Sequence, residues 1–122
     1  MHEISGTVVH GEKLGRLLGF PTANLDRRSF VKRRAQAKFG VWAGYATTPE
    51  GKVWKAGIVI GPLDKRGLPK IEAHLLGFSG DLYGEKLKLG LVKYIRAYKN
   101  FKKLEALKLQ IGKDLKKIKS VI

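Results

Sequence analysis

A chain of 122 residues is long enough to bury one core and too short for two ordinary domains, so a single unit is expected. Lys and Arg total 25 against 10 Asp and Glu, and the formal net charge of +15 favours anionic partners: nucleotides, nucleic acid or an acidic membrane surface. The lack of cysteine excludes disulfides and thiolate metal sites, and no apolar run approaches the ~20 residues of a membrane span.

The amino terminus, Met1, His2 and Glu3, has neither the basic start nor the apolar stretch of a signal peptide, so a soluble cytoplasmic protein is expected. The histidines His2, His10 and His74 are too scattered for a zinc cluster. From Glu3 to His10 the sequence is β-branched and roughly alternating, which predicts a strand. That strand delivers the chain into a loop punctuated by Gly11, Gly15 and Gly19. Backbone amides there can face phosphate oxygens, with Arg16 supplying charge. Neither the phosphate loop ending in Gly-Lys-Ser/Thr nor the three-glycine dinucleotide fingerprint occurs, so any phosphate site is built differently.

The loop runs into Phe20, Pro21, Thr22, Ala23, Asn24 and Leu25. The Thr22 hydroxyl and the Asn24 carbonyl offer hard oxygen ligands to a magnesium ion. A capped turn after Pro21 would use the same residue types, because Thr and Asn also satisfy local backbone groups. Between Asp26 and Lys38, a basic run of Arg27, Arg28, Lys32, Arg33, Arg34 and Lys38 is expected to be a mobile loop, either simply solvated or attracting an anionic substrate or RNA.

Gly40 to Thr47 and Lys52 to Ile60, separated by Thr48, Pro49, Glu50 and Gly51, predict an antiparallel hairpin weighted by Trp42 and Trp54. Lys70 to Leu76 and Lys86 to Ile95 are expected to form a second hairpin, joined through Gly77, Gly80, Asp81 and Gly84. Leu87, Leu89 and Leu91 then share one face, while Lys86 and Lys88 face outward. In the strand before them, Ile71, Ala73 and Leu75 take one face, and Glu72 and His74 the other. A carboxylate so placed is commonly just solvated, yet within reach of an alcohol it can act as the base in phosphoryl transfer.

Five or six short strands with closely spaced turns are met most economically by a small closed antiparallel barrel, which leaves no exposed edge. The carboxy-terminal segment is helical. Leu104, Leu107, Ile111, Leu115, Ile118 and Ile122 recur at steps of three or four, an apolar stripe expected to pack on the barrel. Lys113, Lys116, Lys117 and Lys119 suit the negative end of its dipole.

These segments resemble the riboflavin kinases of the bacterial and eukaryotic type, including the C-terminal module of bacterial bifunctional FAD synthetases. The likeness spans nearly the whole chain. It rests on Gly6 to Val9 with His10 and Gly11, on Leu14, Gly15 and Arg16 before the run from Leu18 to Leu25, and on Glu72 to Leu76 before Phe78. Further matches are Leu82, Tyr83 and Gly84, then Tyr94, Ile95 and Arg96, then Lys99, Asn100 and Phe101, and finally Leu104 to Leu107.

The resemblance implies a mainly β domain over 1–122: a six-stranded antiparallel Greek-key barrel over about 3–96 and a C-terminal α-helix over about 102–120. It implies ATP and Mg2+ held by Thr22, Asn24 and the surrounding glycine flap of Gly11, Gly15, Arg16 and Gly19. Glu72 would activate the ribityl 5′-hydroxyl, Arg96 would position the flavin or its phosphate, and Phe101 would lie near the flavin end. The partners implied are riboflavin and FMN, ATP and ADP, with a monomer expected and no membrane or nucleic-acid partner.

The chain departs from many relatives at Tyr98, where an acidic residue is usual, at Lys102, where a helix-capping Asp is usual, and across Val59 to Leu63, where an Asn and a Pro-Thr pair are common. A locally rebuilt pocket is expected there. Bacterial relatives often carry an upstream nucleotidyltransferase domain, whereas Met1 begins almost directly at the kinase strand, so FAD synthesis is not expected. Two other readings compete: a small basic barrel that binds RNA, against which Trp42, Trp54 and Phe78 read as core, and a flavin-binding protein of this fold without catalysis.

Overall fold

The computed structural model describes residues 2–11, 19–29 and 37–122, so Gly15, Arg16 and, of the basic run, Lys32, Arg33 and Arg34 lie outside the described residues. Six strands close into one barrel: β1 (His2–Val9), β2 (Ala23–Leu25), β3 (Gly40–Thr47), β4 (Val53–Leu63), β5 (Pro69–Leu75) and β6 (Lys86–Arg96). Around the barrel they run β1, β2, β5, β4, β3, β6, and every pairing is antiparallel. β3, β4 and β5 follow one another as neighbours and β6 returns beside β3, which is the Greek-key order.

Alternation along each strand builds the core. Ile4, Leu25, Ile58, Ile60, Ile71, Leu87, Leu89 and Leu91 are all buried, each from the inward row of its strand. On β5 the rows separate as the sequence predicts: Ile71, Ala73 and Leu75 point in, and Glu72 and His74 stand half-buried on the outer face. Trp42, Trp54 and Phe78 pack against the core from its edges. The first hairpin forms as expected, with Gly40 opposite Ile60 and Thr47 opposite Val53.

The second expected hairpin does not form. β5 pairs with β4 and β2, while β6 pairs with β3 and β1. The segment joining them is a crossover: Gly77, Gly80 and Gly84 each take positive φ, at 81°, 136° and 82°, making successive turns instead of one tight reversal. Phe78 and Leu82 from this segment pack against the core. Its far end is tied to β1, where Gly84 N–H donates to the Val8 carbonyl at 2.9 Å and Val8 N–H to the Glu85 carbonyl at 2.8 Å. The crossover lets each strand gain two neighbours, so the barrel closes with no free edge.

Helix α1 (Leu104–Val121) lies across the outside of β3, β4 and β6. It docks where β4 offers no side chain: a Cβ on Gly57 would sit 2.9 Å from Ile118 Cδ1. Ile118 is the one apolar residue of the helix that is fully buried. The rest of the expected stripe differs from simple core packing, because Leu107, Ile111 and Leu115 stay half-exposed and Leu104 is 51% exposed. Those three face a cleft between helix and barrel. No helix among the described residues is long and apolar enough to cross a membrane.

Candidate active site

β2 is a three-residue strand held between β1 and β5, and its register places Asn24 opposite Glu72 and close beside Val9. Directly opposed residues share a face. Asn24 and Glu72 therefore both stand on the outer surface, while Ala23 and Leu25 turn inward. Gly11, just past the end of β1, is what lets Asn24 lie flat against the chain: a Cβ there would fall 2.4 Å from Asn24 Cγ. No side chain larger than hydrogen fits without moving Asn24.

Thr22 precedes β2, and its Oγ1 donates a long hydrogen bond of 3.4 Å to Glu72 Oε2. The other carboxylate oxygen, Oε1, lies 3.8 Å from the Lys70 ammonium. The approach to Thr22 is fixed by His74, whose Nδ1 donates to the Pro21 carbonyl at 2.7 Å and whose ring meets Phe20 edge-on at 6.1 Å. A carbonyl can only accept, so this contact sets the Nδ1–H tautomer.

Two clefts meet at Thr22. The first, about 290 Å³, runs between the β1 and β2 ends and the crossover, and includes Gly11, Thr22, Asn24, Leu75, Phe78 and Tyr83. At its rim the His10 and Tyr83 rings stack with centroids 3.7 Å apart and planes 18° apart. The second, about 260 Å³, lies between the outer face of the barrel and α1, and is more apolar. Val59, Leu107, Ile111 and Leu115 line it together with Thr22, Glu72, Arg96 and Phe101.

Arg96 ends β6 and is committed to the helix. Its Nε donates to Asp114 Oδ1 at 3.0 Å and its Nη2 to Oδ2 at 2.8 Å, while Nη1 donates to the Ala97 carbonyl at 3.1 Å. Gln110 Nε2 adds a bond of 2.9 Å to Asp114 Oδ1. Phe101 lies beneath two cations, with Arg96 at 5.9 Å and Lys99 at 5.5 Å from its centroid.

Upstream of β5, the Asp64 carboxylate shapes the turn that leads into Lys70. The Leu68 amide first, then the Arg66 side chain and amide, hold its pKa down to about 2. Arg27 ties the same turn to the segment after β2 by donating to the Leu68 carbonyl at 3.2 Å.

Of the residues singled out from sequence, Gly11, Thr22 and Asn24 come together on the first cleft, and Thr22, Glu72, Arg96 and Phe101 on the second. Gly19 takes φ 88° in the turn before Phe20 and is not among the residues lining either cleft, while Gly15 and Arg16 lie outside the described residues. Tyr98 lines the second cleft, and Lys102 is exposed.

Sequence reasoning missed Lys70, Gln110 and Asp114. Asp114 carried a usable signal: it falls three residues after Ile111 and four before Ile118, a carboxylate on the apolar stripe that calls for a cation opposite.

The whole chain, residues 1–122, matches the family model described as Flavokinase: Riboflavin kinase. The bifunctional riboflavin kinase/FMN adenylyltransferase of Escherichia coli strain K12 is 40% identical over 115 residues, which is 91% of this chain and 35% of that protein. An RNA-binding riboflavin kinase of Bacillus subtilis is 39% identical over 114 residues, 92% of this chain and 47% of that protein. The crystal structure of riboflavin kinase from Trypanosoma brucei superposes with a TM-score of 0.68 at 26% identity, covering 97% of this chain and 77% of that one. The chain thus spans about a third to a half of the length of these curated relatives. With its full length inside the family model and relatives near 40% identity, the chain belongs to the riboflavin kinase family.

Proposed function

We propose that the chain transfers the γ-phosphoryl group of ATP to the 5′-hydroxyl of riboflavin, giving FMN and ADP. One observation carries the reading: Glu72 lines the apolar cleft 3.4 Å from Thr22, the residue at which that cleft meets the polar one. A proton acceptor is needed at such a junction, where an alcohol from one side meets a phosphate from the other.

The apolar cleft takes the flavin. Leu107, Ile111 and Leu115 remain half-exposed beside Val59 and Phe101, and a planar ring inserted there completes their burial. The ribityl tail then extends toward Glu72. ATP occupies the other cleft, with its base near Leu75, Phe78 and the His10–Tyr83 stack and its phosphates toward Gly11, Thr22 and Asn24. Gly15, Arg16 and Gly19 join the phosphate flap in this reading.

The donor chemistry at Thr22 and Asn24 fits a hard divalent cation, for which Mg2+ is proposed. Among the described residues no three His, Asp or Glu side chains converge on a metal position, so phosphate and water oxygens would complete the shell. When bound, the ion neutralises charge on the phosphates. Glu72 accepts the hydroxyl proton as the ribityl oxygen bonds to the γ-phosphorus, and the bond from that phosphorus to the β–γ bridging oxygen breaks, releasing ADP. Arg96, locked to Asp114, holds the helix wall against the flavin end. A cytoplasmic monomer is part of this reading.

The RNA-binding reading is not favoured. Trp42, Trp54 and Phe78 pack against the core instead of forming an open stacking face. A flavin carrier without catalysis is countered by the Glu72 carboxylate lying 3.4 Å from Thr22, where the two clefts meet. Incubating the purified chain with riboflavin, ATP and Mg2+ should yield FMN by chromatography, and absence of FMN would remove the proposal.

A further inference from the structure

Three benzenoid side chains line the apolar cleft: Phe20, Tyr98 and Phe101. Two of them are engaged within the fold. Phe20 meets the His74 ring edge-on at 6.1 Å, and Phe101 carries Arg96 and Lys99 at 5.9 and 5.5 Å from its centroid. Tyr98 is half-buried, yet among the described residues it has no ring partner, no cation over its face and no hydrogen bond from its phenol. The backbone leading to it is anchored, because Arg96 pairs with Asp114 and donates through Nη1 to the carbonyl of Ala97, one residue before Tyr98, at 3.1 Å.

We infer that Tyr98 is the side chain on which the flavin ring stacks. The inference rests on the kinase reading above, which puts riboflavin in this cleft. Leu107, Ile111 and Leu115 offer apolar surface to a ligand of any shape, whereas an unoccupied phenol face offers a flat one and so selects for a planar ligand. Two stacked aromatic rings attract each other beyond the apolar area they cover. Tyr98 is also the one phenol or indole lining the cleft, since Trp42, Trp54, Tyr45, Tyr83 and Tyr94 lie elsewhere. Stacking therefore has an optical signature. A photoexcited isoalloxazine ring in contact with a phenol takes one electron from it and returns that electron without emitting light, so nothing is consumed. A phenylalanine ring is too hard to oxidise to do the same.

The test follows riboflavin emission as the unmodified chain, Tyr98→Phe and Tyr98→Leu are titrated in, alone and with ADP and Mg2+ present. Isothermal titration calorimetry gives each affinity independently of emission, and circular dichroism checks folding. The unmodified chain should darken riboflavin as it binds. Tyr98→Phe keeps a flat ring and should hold riboflavin affinity within about twofold, but the bound flavin should stay bright. Tyr98→Leu keeps apolar bulk without the flat face. It should lose the darkening and bind about fivefold more weakly, with the riboflavin KM raised by a similar factor and the ATP KM unchanged. An unmodified chain that binds riboflavin without darkening it, a Tyr98→Phe chain that darkens it as fully as the unmodified one, or a Tyr98→Leu chain of unchanged affinity would each overturn the assignment of Tyr98 and leave the kinase reading standing. An unmodified chain that binds no riboflavin would instead remove the kinase reading, and this inference with it.

Discussion

Arg96 at the end of β6 and Asp114 in the middle of α1 form a two-pronged ion pair, with Nε and Nη2 of the one at 3.0 and 2.8 Å from Oδ1 and Oδ2 of the other. Asp114 is 7% exposed, so this pair joins helix to barrel away from bulk water and fixes the far wall of the apolar cleft. Asp114→Asn keeps the shape but leaves Arg96 without its counter-charge. It should lower stability by about 2 kcal/mol, seen as an earlier urea midpoint, and raise the riboflavin KM more than the ATP KM.

Glu72→Gln preserves volume and removes the proton acceptor. Turnover should fall by about 10²- to 10⁴-fold with an unchanged circular dichroism spectrum, measured as FMN formed per minute. A variant of near-normal rate would reject Glu72 as the base.

Gly11→Ala should act on the nucleotide side alone. The new methyl would stand 2.4 Å from Asn24 Cγ and must push that side chain away from the cleft. The KM for ATP should rise about tenfold with riboflavin affinity nearly unchanged, so initial rates against each substrate in turn check the claim.

Asp64 makes acid stability testable. Its folded pKa is held down to about 2, below its ordinary 3.8, so its contribution is present above that ordinary value and is lost as pH falls toward 2. Asp64→Asn should melt earlier at neutral pH and show a smaller further drop between about pH 4 and pH 2 than the unmodified chain. Thermal midpoints across that range decide it.

Ile118→Ala removes the one apolar side chain of the helix buried against the barrel, over Gly57. A loss of about 2–4 kcal/mol in urea unfolding is expected, accompanied by weaker riboflavin binding as the helix wall loosens.

Much of this protein was legible as local pattern. Alternation on β5 put Glu72 and His74 on the opposite face from Ile71, Ala73 and Leu75, because side-chain direction in a strand depends only on parity. The short run from Thr22 to Asn24 could likewise be picked out, since its residue types carry oxygen donors wherever the chain takes them. Which strands become neighbours is another matter. Glycines at 77, 80 and 84 read equally well as one hairpin turn or as a crossover, and closure of the barrel chose the crossover.

The tertiary structure alone decided what the apolar stripe of α1 faces. Leu107, Ile111 and Leu115 obey helical periodicity whether they meet core or cleft, and only the docking of Ile118 over Gly57 leaves the other three beside a cavity. It also decided that Lys70 and Thr22 grip opposite oxygens of one carboxylate, although 48 positions of sequence separate them. Parity and period are written residue by residue, whereas proximity across a closed sheet follows from register. Register is set by the burial of the whole core at once.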